Sequence, residues 1–386
     1  MSEKDFESFG AVEELYRDRS ERARELRDQG RKIVGYFSSL IPTEMLTALG
    51  LVPYRITGNA TEPPVESTAF LETNACSFVH SCLDLALRGQ YDFLDGIIVP
   101  HFCDHFTKAY TIFKHHLNLP YSYFLNIPHL SDASSRKFFR RELETFKGSL
   151  ENFTHQELSL QRLIEAIEAH NRNRTLVRDL YELRKEDPPL ISGSETTKVL
   201  TASMRVPIGE SNALIEHVIR DAKERSVPAG NDSKRLLVYG SVIDQTPFMD
   251  LIEGSGANIV MDVLYGSSIN YFSDVRITED PLDGLVQHYL ELPSGRTYNK
   301  PRTGTHRENV DNRFHYIYDY AEVFKAHAVI LYAIRHCEVF GFDLPDLRDY
   351  LKEKGLPVLV IEEEYTMTST ERLRMRIEAF LETLSE

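Results

Sequence analysis

The sequence predicts an α/β protein of two similar lobes, each a mostly parallel sheet flanked by helices, with a helical insert between them. One observation is a unit that recurs four times: a short apolar run, a polar turn, an amphipathic stretch and a second apolar run. Another is that the copies form two pairs, at roughly residues 30–130 and 233–365, separated by a polar helical stretch. Strands that alternate with helices are typical of parallel sheets with helices on both faces.

The four units are each interpreted as strand, helix and strand. In the first lobe they are residues 32–37, 42–50 and 51–56, then 96–100, 104–118 and 121–127. In the second lobe they are residues 235–239, 247–254 and 258–263, then 328–334, 344–355 and 357–361.

The insert is predicted from helical spacing of apolar residues. Leu160, Leu163 and Ile167 start a pattern that continues to Leu183, and two prolines and a glycine within residues 186–195 break it. Residues 209–225 are predicted to be helical, residues 226–234 to be a linker, and residues 6–30 and 370–384 to be terminal helices. The predicted domains are therefore an N-terminal α/β lobe over residues 1–145, a helical insert over 146–232 and a C-terminal α/β lobe over 233–386.

Composition and charge argue against several classes of function. With 44 Lys and Arg against 59 Asp and Glu, the formal net charge is −15, which argues against a nucleic-acid partner. No apolar run approaches the roughly 20 residues that a membrane helix needs. The first ten residues are acidic and lack an apolar core, so we expect no secretory signal and a cytoplasmic location. In that reducing compartment the four cysteines are expected to be thiols.

Two of the cysteines stand at informative positions. Cys103 follows the predicted strand 96–100, and Cys337 follows the predicted strand 328–334, one in each lobe. Open α/β sheets bind ligands at the carboxyl ends of their strands, and helix N-termini stabilise the thiolate that binds metals. Cys76 begins another predicted helix, and Cys82 lies six residues later. The alternative is that all four are inert, because free cysteine is usually buried packing. No C-x₂-C pair is present, so zinc-ribbon and ferredoxin spacings are absent.

Three segments carry a family resemblance. Residues 35–58 read GYFSSLIPTEMLTALGLVPYRITG, residues 76–105 begin CSFVHSCLDLAL, and residues 335–382 begin RHCEVFGFDLPDLRDYL. In these motifs the chain resembles the 2-hydroxyacyl-CoA dehydratase D-component family over nearly its whole length, most weakly between about residues 130 and 230. Within the family it is most similar to the C (gamma) subunits of ATP-dependent, class I benzoyl-CoA reductases.

The resemblance implies an iron–sulfur cluster, expected to be [4Fe–4S], with a double-cubane type as the alternative. It implies that Cys76, Cys103 and Cys337 are its cysteine ligands. Cys82 is a candidate fourth ligand, but on a helix that starts at Cys76 it lies about 600° further round, off the same face. The residues give no catalytic group, and the catalytic residues are left unknown.

The resemblance also implies a function. The chain would take low-potential electrons from a two-chain, ATP-hydrolysing activator fed by a ferredoxin. Beside a homologous substrate-reducing subunit, it would dearomatise the CoA thioester benzoyl-CoA to a cyclohexadiene-carboxyl-CoA. The sequence has neither G-x-x-x-x-G-K-[ST] nor G-x-G-x-x-G, so we expect no ATP or NAD site in this chain. The alternatives are a 2-hydroxyacyl-CoA dehydratase subunit, which is a lyase, and a cluster-free structural subunit. The polar segment 294–313 is interpreted as a surface loop, where Arg302 and Arg307 could contact CoA phosphates.

Overall fold

The structure is a computed structural model that describes residues 8–225, 233–292, 304–367 and 370–384. The strands are β1 (Ile33–Tyr36), β2 (Val52–Arg55), β3 (Gly96–Pro100), β4 (Tyr121–Leu125), β5 (Lys234–Gly240), β6 (Ala257–Leu264), β7 (Ala328–Ile334) and β8 (Val358–Glu363). The helices are α1 (Ser8–Arg17), α2 (Glu21–Asp28), α3 (Thr43–Ala48), α4 (Ser77–Leu87), α5 (Asp104–His116), α6 (Ala133–Thr154), α7 (Leu160–Glu182), α8 (Gly193–Ser203), α9 (Ile208–Glu224), α10 (Pro247–Gly254), α11 (Pro281–Glu291), α12 (His306–Val323), α13 (Glu338–Gly341), α14 (Leu344–Glu353) and α15 (Thr370–Thr383).

The strands of the described residues form two parallel sheets with the same topology. The strand order is β2-β1-β3-β4 in the first sheet and β6-β5-β7-β8 in the second. Every pair of neighbouring strands is parallel. The central strands β3 and β7 are buried along their whole length, as expected for apolar strands covered by helices on both faces. The predicted α/β class with two similar parallel lobes is confirmed.

The helical insert ties the two lobes together. Along α7 and just beyond its end, two buried arginines reach in opposite directions. Arg174 pairs with Glu44 of the first lobe at 2.5 Å, and Arg184 pairs with Asp262 of β6 in the second lobe at 2.5 Å. The helix α6 runs through residue 145, so the predicted domain boundary there falls inside a helix. The division into three domains stays a prediction.

Two predicted segments differ from the structure. The predicted helix 6–30 is two helices, because the Asp18 carboxylate accepts the backbone N–H groups of Ser20 and Glu21 at 3.0 Å each and starts α2 anew. The predicted loop 294–313 is wrong at its end, since α12 begins at His306 behind a capping box of Thr305 and Glu308.

Residues 294–303 of that loop and residues 226–232 of the predicted linker lie outside the described residues. Arg302 is among these residues, whereas the described Arg307 pairs with Glu353 at 2.9 Å. Within the described ranges, no helix is both long and apolar enough to span a bilayer.

Candidate functional site

Three of the four cysteines each stand immediately before a helix, in its capping position. Cys76 precedes α4, Cys103 precedes α5 and Cys337 precedes α13. The last two follow the carboxyl ends of β3 and β7, as the sequence predicted, because in both lobes a buried strand ends and the next helix begins within a few residues. The N-terminal turns of three helices therefore carry the three thiols.

The pKa of the Cys76 thiol depends on groups from both lobes. Burial raises its pKa most, and the charge on Cys337 raises it further, as does that on Cys103. The backbone N–H groups of Val79 and Phe78, in the first turn of α4, lower the pKa of the same thiol. The structure thus brings Cys76, Cys103 and Cys337 into one electrostatic environment, although they come from distant parts of the chain.

The thiol of Cys337 has a comparable setting. Burial raises its pKa, while the backbone N–H groups of Phe340 and Val339 and the hydroxyl of Ser241 lower it. Ser241 follows β5 and also accepts the backbone N–H of Ile334 at 3.2 Å. Donors that favour a thiolate are what a metal-binding or cluster-binding cysteine requires.

Cys82 occupies a different environment. Its side chain is fully buried, and burial raises its pKa well above the usual range. The charge of Asp244 raises the pKa further, and that of Arg55 lowers it. Cys82 therefore faces the charged groups between the lobes, and Cys76 is the one cysteine among the main influences on its pKa.

A cavity of about 340 Å³ lies beside Cys337. Phe342, on its wall, is 82% exposed, so the cavity borders the protein surface. The residues that line it are Asn74, His105, Ala333, Ile334, His336, Cys337, Glu338, Gly341, Phe342 and Glu362. This cavity gives one of the three cysteines a route to solvent.

The donor set fits an iron–sulfur cluster by its chemistry, because thiolates at helix N-termini are suitable ligands for iron. Among the described residues, however, no three His, Cys, Asp or Glu side chains are grouped tightly enough to hold a metal ion. The assignment of Cys76, Cys103 and Cys337 as ligands is therefore a prediction that rests on donor type and shared environment.

The sequence did not indicate the residues that join the lobes around these cysteines. Phe102, next to Cys103, stacks on Tyr265 of the second lobe with ring centroids 4.2 Å apart and planes 12° apart. The Tyr265 hydroxyl is hydrogen-bonded to that of Ser38. Tyr365 donates its backbone N–H to Ser77 at 2.8 Å and its hydroxyl to Asp244 at 2.6 Å. Each of these residues follows the end of a strand or begins a helix. That position was the only signal in the sequence that could have indicated them.

Comparisons with known proteins show the family of the chain. The chain is 23% identical to the (R)-phenyllactyl-CoA dehydratase beta subunit of Clostridium sporogenes, over 93% of each chain. It is 24% identical to a benzoyl-CoA reductase subunit of Thauera aromatica, over 86% of this chain and 85% of that one. It is 23% identical to the (R)-2-hydroxyglutaryl-CoA dehydratase subunit beta of Acidaminococcus fermentans, over 92% and 93%. The sequence model of the family described as 2-hydroxyglutaryl-CoA dehydratase, D-component, matches residues 38–384, so the chain belongs to that family.

Proposed function

We propose that this chain is an iron–sulfur subunit of an enzyme that acts on CoA thioesters, with Cys76, Cys103 and Cys337 as the cysteine ligands. The observation that carries the proposal is that each of these three cysteines stands immediately before a helix, and that two of them follow the equivalent strands β3 and β7 of the two lobes. Backbone N–H groups in the turns that follow Cys76 and Cys337 favour the thiolate form of both side chains. The thiolate is the form of cysteine that binds iron.

The residues around the sulfur atoms would then hold and insulate the group. A [4Fe–4S] cluster, when bound, supplies one-electron chemistry at a potential set by hydrogen bonding and burial. The first turns of α4 and α13 and the Ser241 hydroxyl would direct N–H and O–H dipoles at the sulfur atoms of Cys76 and Cys337. The burial of Cys76, only 8% exposed, would keep water from that side.

The specific reaction that we propose is ATP-dependent reduction of benzoyl-CoA. The likeness to the benzoyl-CoA reductase subunit of Thauera aromatica supports it, as does the lack of both nucleotide-binding motifs, which fits a chain that receives electrons from another protein. The proposed partners are a homologous subunit, a two-chain ATP-hydrolysing activator and a ferredoxin, and the proposed location is the cytoplasm.

A second candidate is a 2-hydroxyacyl-CoA dehydratase, which would use the same cluster as a lyase. Its support is that two dehydratase beta subunits match this chain over 92–93% of its length. The two reactions differ in their electron balance. Ring reduction consumes electrons with every turnover, whereas elimination of water leaves the substrate's oxidation level unchanged.

The experiment is an anaerobic assay of the enzyme complex purified through a tag on this chain, with activator, ATP and reductant. The substrates are benzoyl-CoA, (R)-phenyllactyl-CoA and (R)-2-hydroxyglutaryl-CoA. A reductase forms a cyclic dienoyl-CoA and hydrolyses ATP in proportion to product. A dehydratase forms an enoyl-CoA and needs ATP only to start. Formation of either product by a complex whose tagged chain holds no iron would contradict the cluster proposal.

A further inference from the structure

The side chain of Arg55 is the most anomalous charged group in the described structure. It ends β2 and is fully buried. None of its three nitrogens, Nε, Nη1 and Nη2, has a hydrogen-bond partner among the described residues. Its Cζ lies over the Tyr36 ring, 5.9 Å from the ring centroid, and a contact of that kind replaces only part of the lost hydration. A buried guanidinium without a hydrogen-bond acceptor is strongly unfavourable.

Other buried arginines show how this fold satisfies a guanidinium that serves only structure. Arg174 is paired with Glu44, and Arg184 with Asp262. Arg235 has no acidic partner, yet it donates to the backbone carbonyl groups of Phe324, Glu186, Arg184 and Lys185. The fold therefore supplies acceptors to buried arginines, and Arg55 is the exception.

Unpaired polar atoms lie at the carboxyl ends of the strands of both sheets. Each lies at or just beyond the carboxyl end of one of four strands: Ser39 Oγ after β1, the Arg55 nitrogens on β2, Asp244 Oδ2 after β5 and Ser267 Oγ after β6. The loop after β6 touches Arg55 directly, since a Cβ added at Gly266 would stand 2.3 Å from Nη2. Ligands of open parallel sheets bind at these strand ends.

The local charge balance is positive. Arg55, Arg19 and Arg205 all lower the pKa of Asp244, although burial raises it more. Across the described ranges, none of these three arginines has a carboxylate within salt-bridge distance, and Arg205 Nε is also unpaired. Arg19 donates to the Gly58 carbonyl oxygen and Arg205 to the Thr57 hydroxyl. Arg55 is therefore the one of the three whose guanidinium finds no acceptor among the described residues, and an acceptor with negative charge suits it.

We propose that Arg55 anchors a binding site for a small carboxylate between the two lobes. The planar guanidinium matches a carboxylate with two parallel hydrogen bonds, and the hydroxyls of Ser39 and Ser267 offer further donors. Gly266 lies directly against the guanidinium, since any side chain at that position would collide with Nη2. The site goes beyond the proposed function: it adjoins Cys82, whose pKa is raised by burial and lowered by the Arg55 charge, but it uses none of Cys76, Cys103 and Cys337.

The test uses formate and acetate as probes on the full chain, purified anaerobically with whatever subunits accompany it. Thermal unfolding is followed at constant ionic strength, with chloride replacing the carboxylate in the reference. We expect a saturable rise of the unfolding temperature in wild type and in Arg348→Met, whose exposed guanidinium is paired with its neighbour Asp349. In Arg55→Met the affinity for formate should fall by about tenfold or more.

Two further readouts keep the test decisive. Ser267→Ala should weaken formate binding, whereas Ser194→Ala, which removes an unpaired buried hydroxyl on α8, should not. If Arg55→Met does not fold, the comparison of these two serine variants decides the test. Iron content should be the same in Arg55→Met and wild type. The assignment is overturned if formate stabilises wild type and Arg55→Met equally, if no saturable effect exists, or if Arg55→Met loses its iron.

Discussion

Burial raises the pKa of the Cys76 thiol, in the first lobe, and the charge of Cys337, in the second lobe, raises it further. Each residue stands immediately before a helix, α13 for Cys337 and α4 for Cys76, so the relationship joins two helix N-termini across the boundary between the sheets. Because the lobes share one topology, the carboxyl ends of β3 and β7 are equivalent positions, and a thiol follows each. The shared topology thus places a thiol after the equivalent strand of each lobe.

Cys76 stands immediately before α4 and Cys82 lies within it. The two cysteines therefore provide a matched pair of substitutions. Cys76→Ser should abolish visible absorption and lower the iron content, because it removes one of the three coupled thiols. Cys82→Ser should keep both, because Cys82 faces Asp244 and Arg55 instead. Iron analysis and visible spectra of anaerobic samples check this. Loss of iron in Cys82→Ser with a normally folded protein would make Cys82 the fourth ligand.

Gly240 allows β5 to pass close to β7 beside the cysteine site. Its φ is +153°, and an added Cβ would stand 1.8 Å from the carbonyl oxygen of Tyr332. We expect Gly240→Ala to lower the free energy of unfolding by about 3 kcal/mol or more, because backbone must move. It should also displace Ser241 from Cys337. Chemical denaturation measures the first effect and iron content the second.

The control is Gly148→Ala, within α6, where an added Cβ meets nothing within 4 Å. It should raise stability by about 0.5–1 kcal/mol, since alanine favours a helix over glycine. Equal stabilities of the two variants would contradict the close approach of β5 and β7.

The buried ion pair of Arg184 and Asp262 should matter to stability mainly because each charge needs the other. We expect the loss of one charge to destabilise the fold more than the loss of both. Arg184→Met leaves the buried Asp262 carboxylate with only the Tyr181 hydroxyl at 2.7 Å, and should cost about 3–5 kcal/mol of unfolding free energy. Replacing Asp262 by leucine in the same chain should recover most of the loss. Denaturation of single and double variants checks this, and a double variant as unstable as Arg184→Met would contradict it.

His288 should make the protein less stable in acid. Burial, aided by the charge of Arg174 and opposed by that of Glu44, lowers the pKa of His288 to about 3. In the unfolded chain the group takes up a proton near its ordinary pKa of 6.5, which the folded protein does not accept, so stability falls as the pH drops from about 6 to about 4. His288→Asn should reduce the slope by up to about 1.4 kcal/mol per pH unit.

Urea denaturation at several pH values measures that slope. The control is His315→Asn on the exposed face of α12, where the histidine bonds only to the Asp311 carbonyl oxygen at 3.1 Å. An unchanged slope in His288→Asn would show that this histidine is protonated as readily in the folded state as in the unfolded chain.

The strands and helices of the lobes were predictable because local pattern determines them. The limits of β3, α10 and β7 coincide with the predicted residues 96–100, 247–254 and 328–334. The start of α12 was not predicted, although Thr305 and Glu308 form a capping-box spacing that would have indicated it. The break between α1 and α2 depends on one aspartate side chain, which periodicity does not detect.

The site was predictable only in part. The position of Cys103 and Cys337 after equivalent strands followed from sequence, because carboxyl ends of parallel strands share an edge. The environment of Arg55 did not, since its lack of a hydrogen-bond acceptor and its contact with Gly266 depend on how distant parts of the chain fold together. Likewise, only the fold shows that Arg184 meets Asp262 while Arg235 meets carbonyl groups.

The central claim is that this chain itself holds an iron–sulfur cluster between its lobes. The most direct measurement is the iron and acid-labile sulfide content of the wild-type chain, purified without oxygen and shown to be folded. We expect about four irons and four sulfides per chain. A folded, oxygen-protected chain with neither iron nor sulfide would contradict the claim and leave a structural subunit whose cysteines are inert.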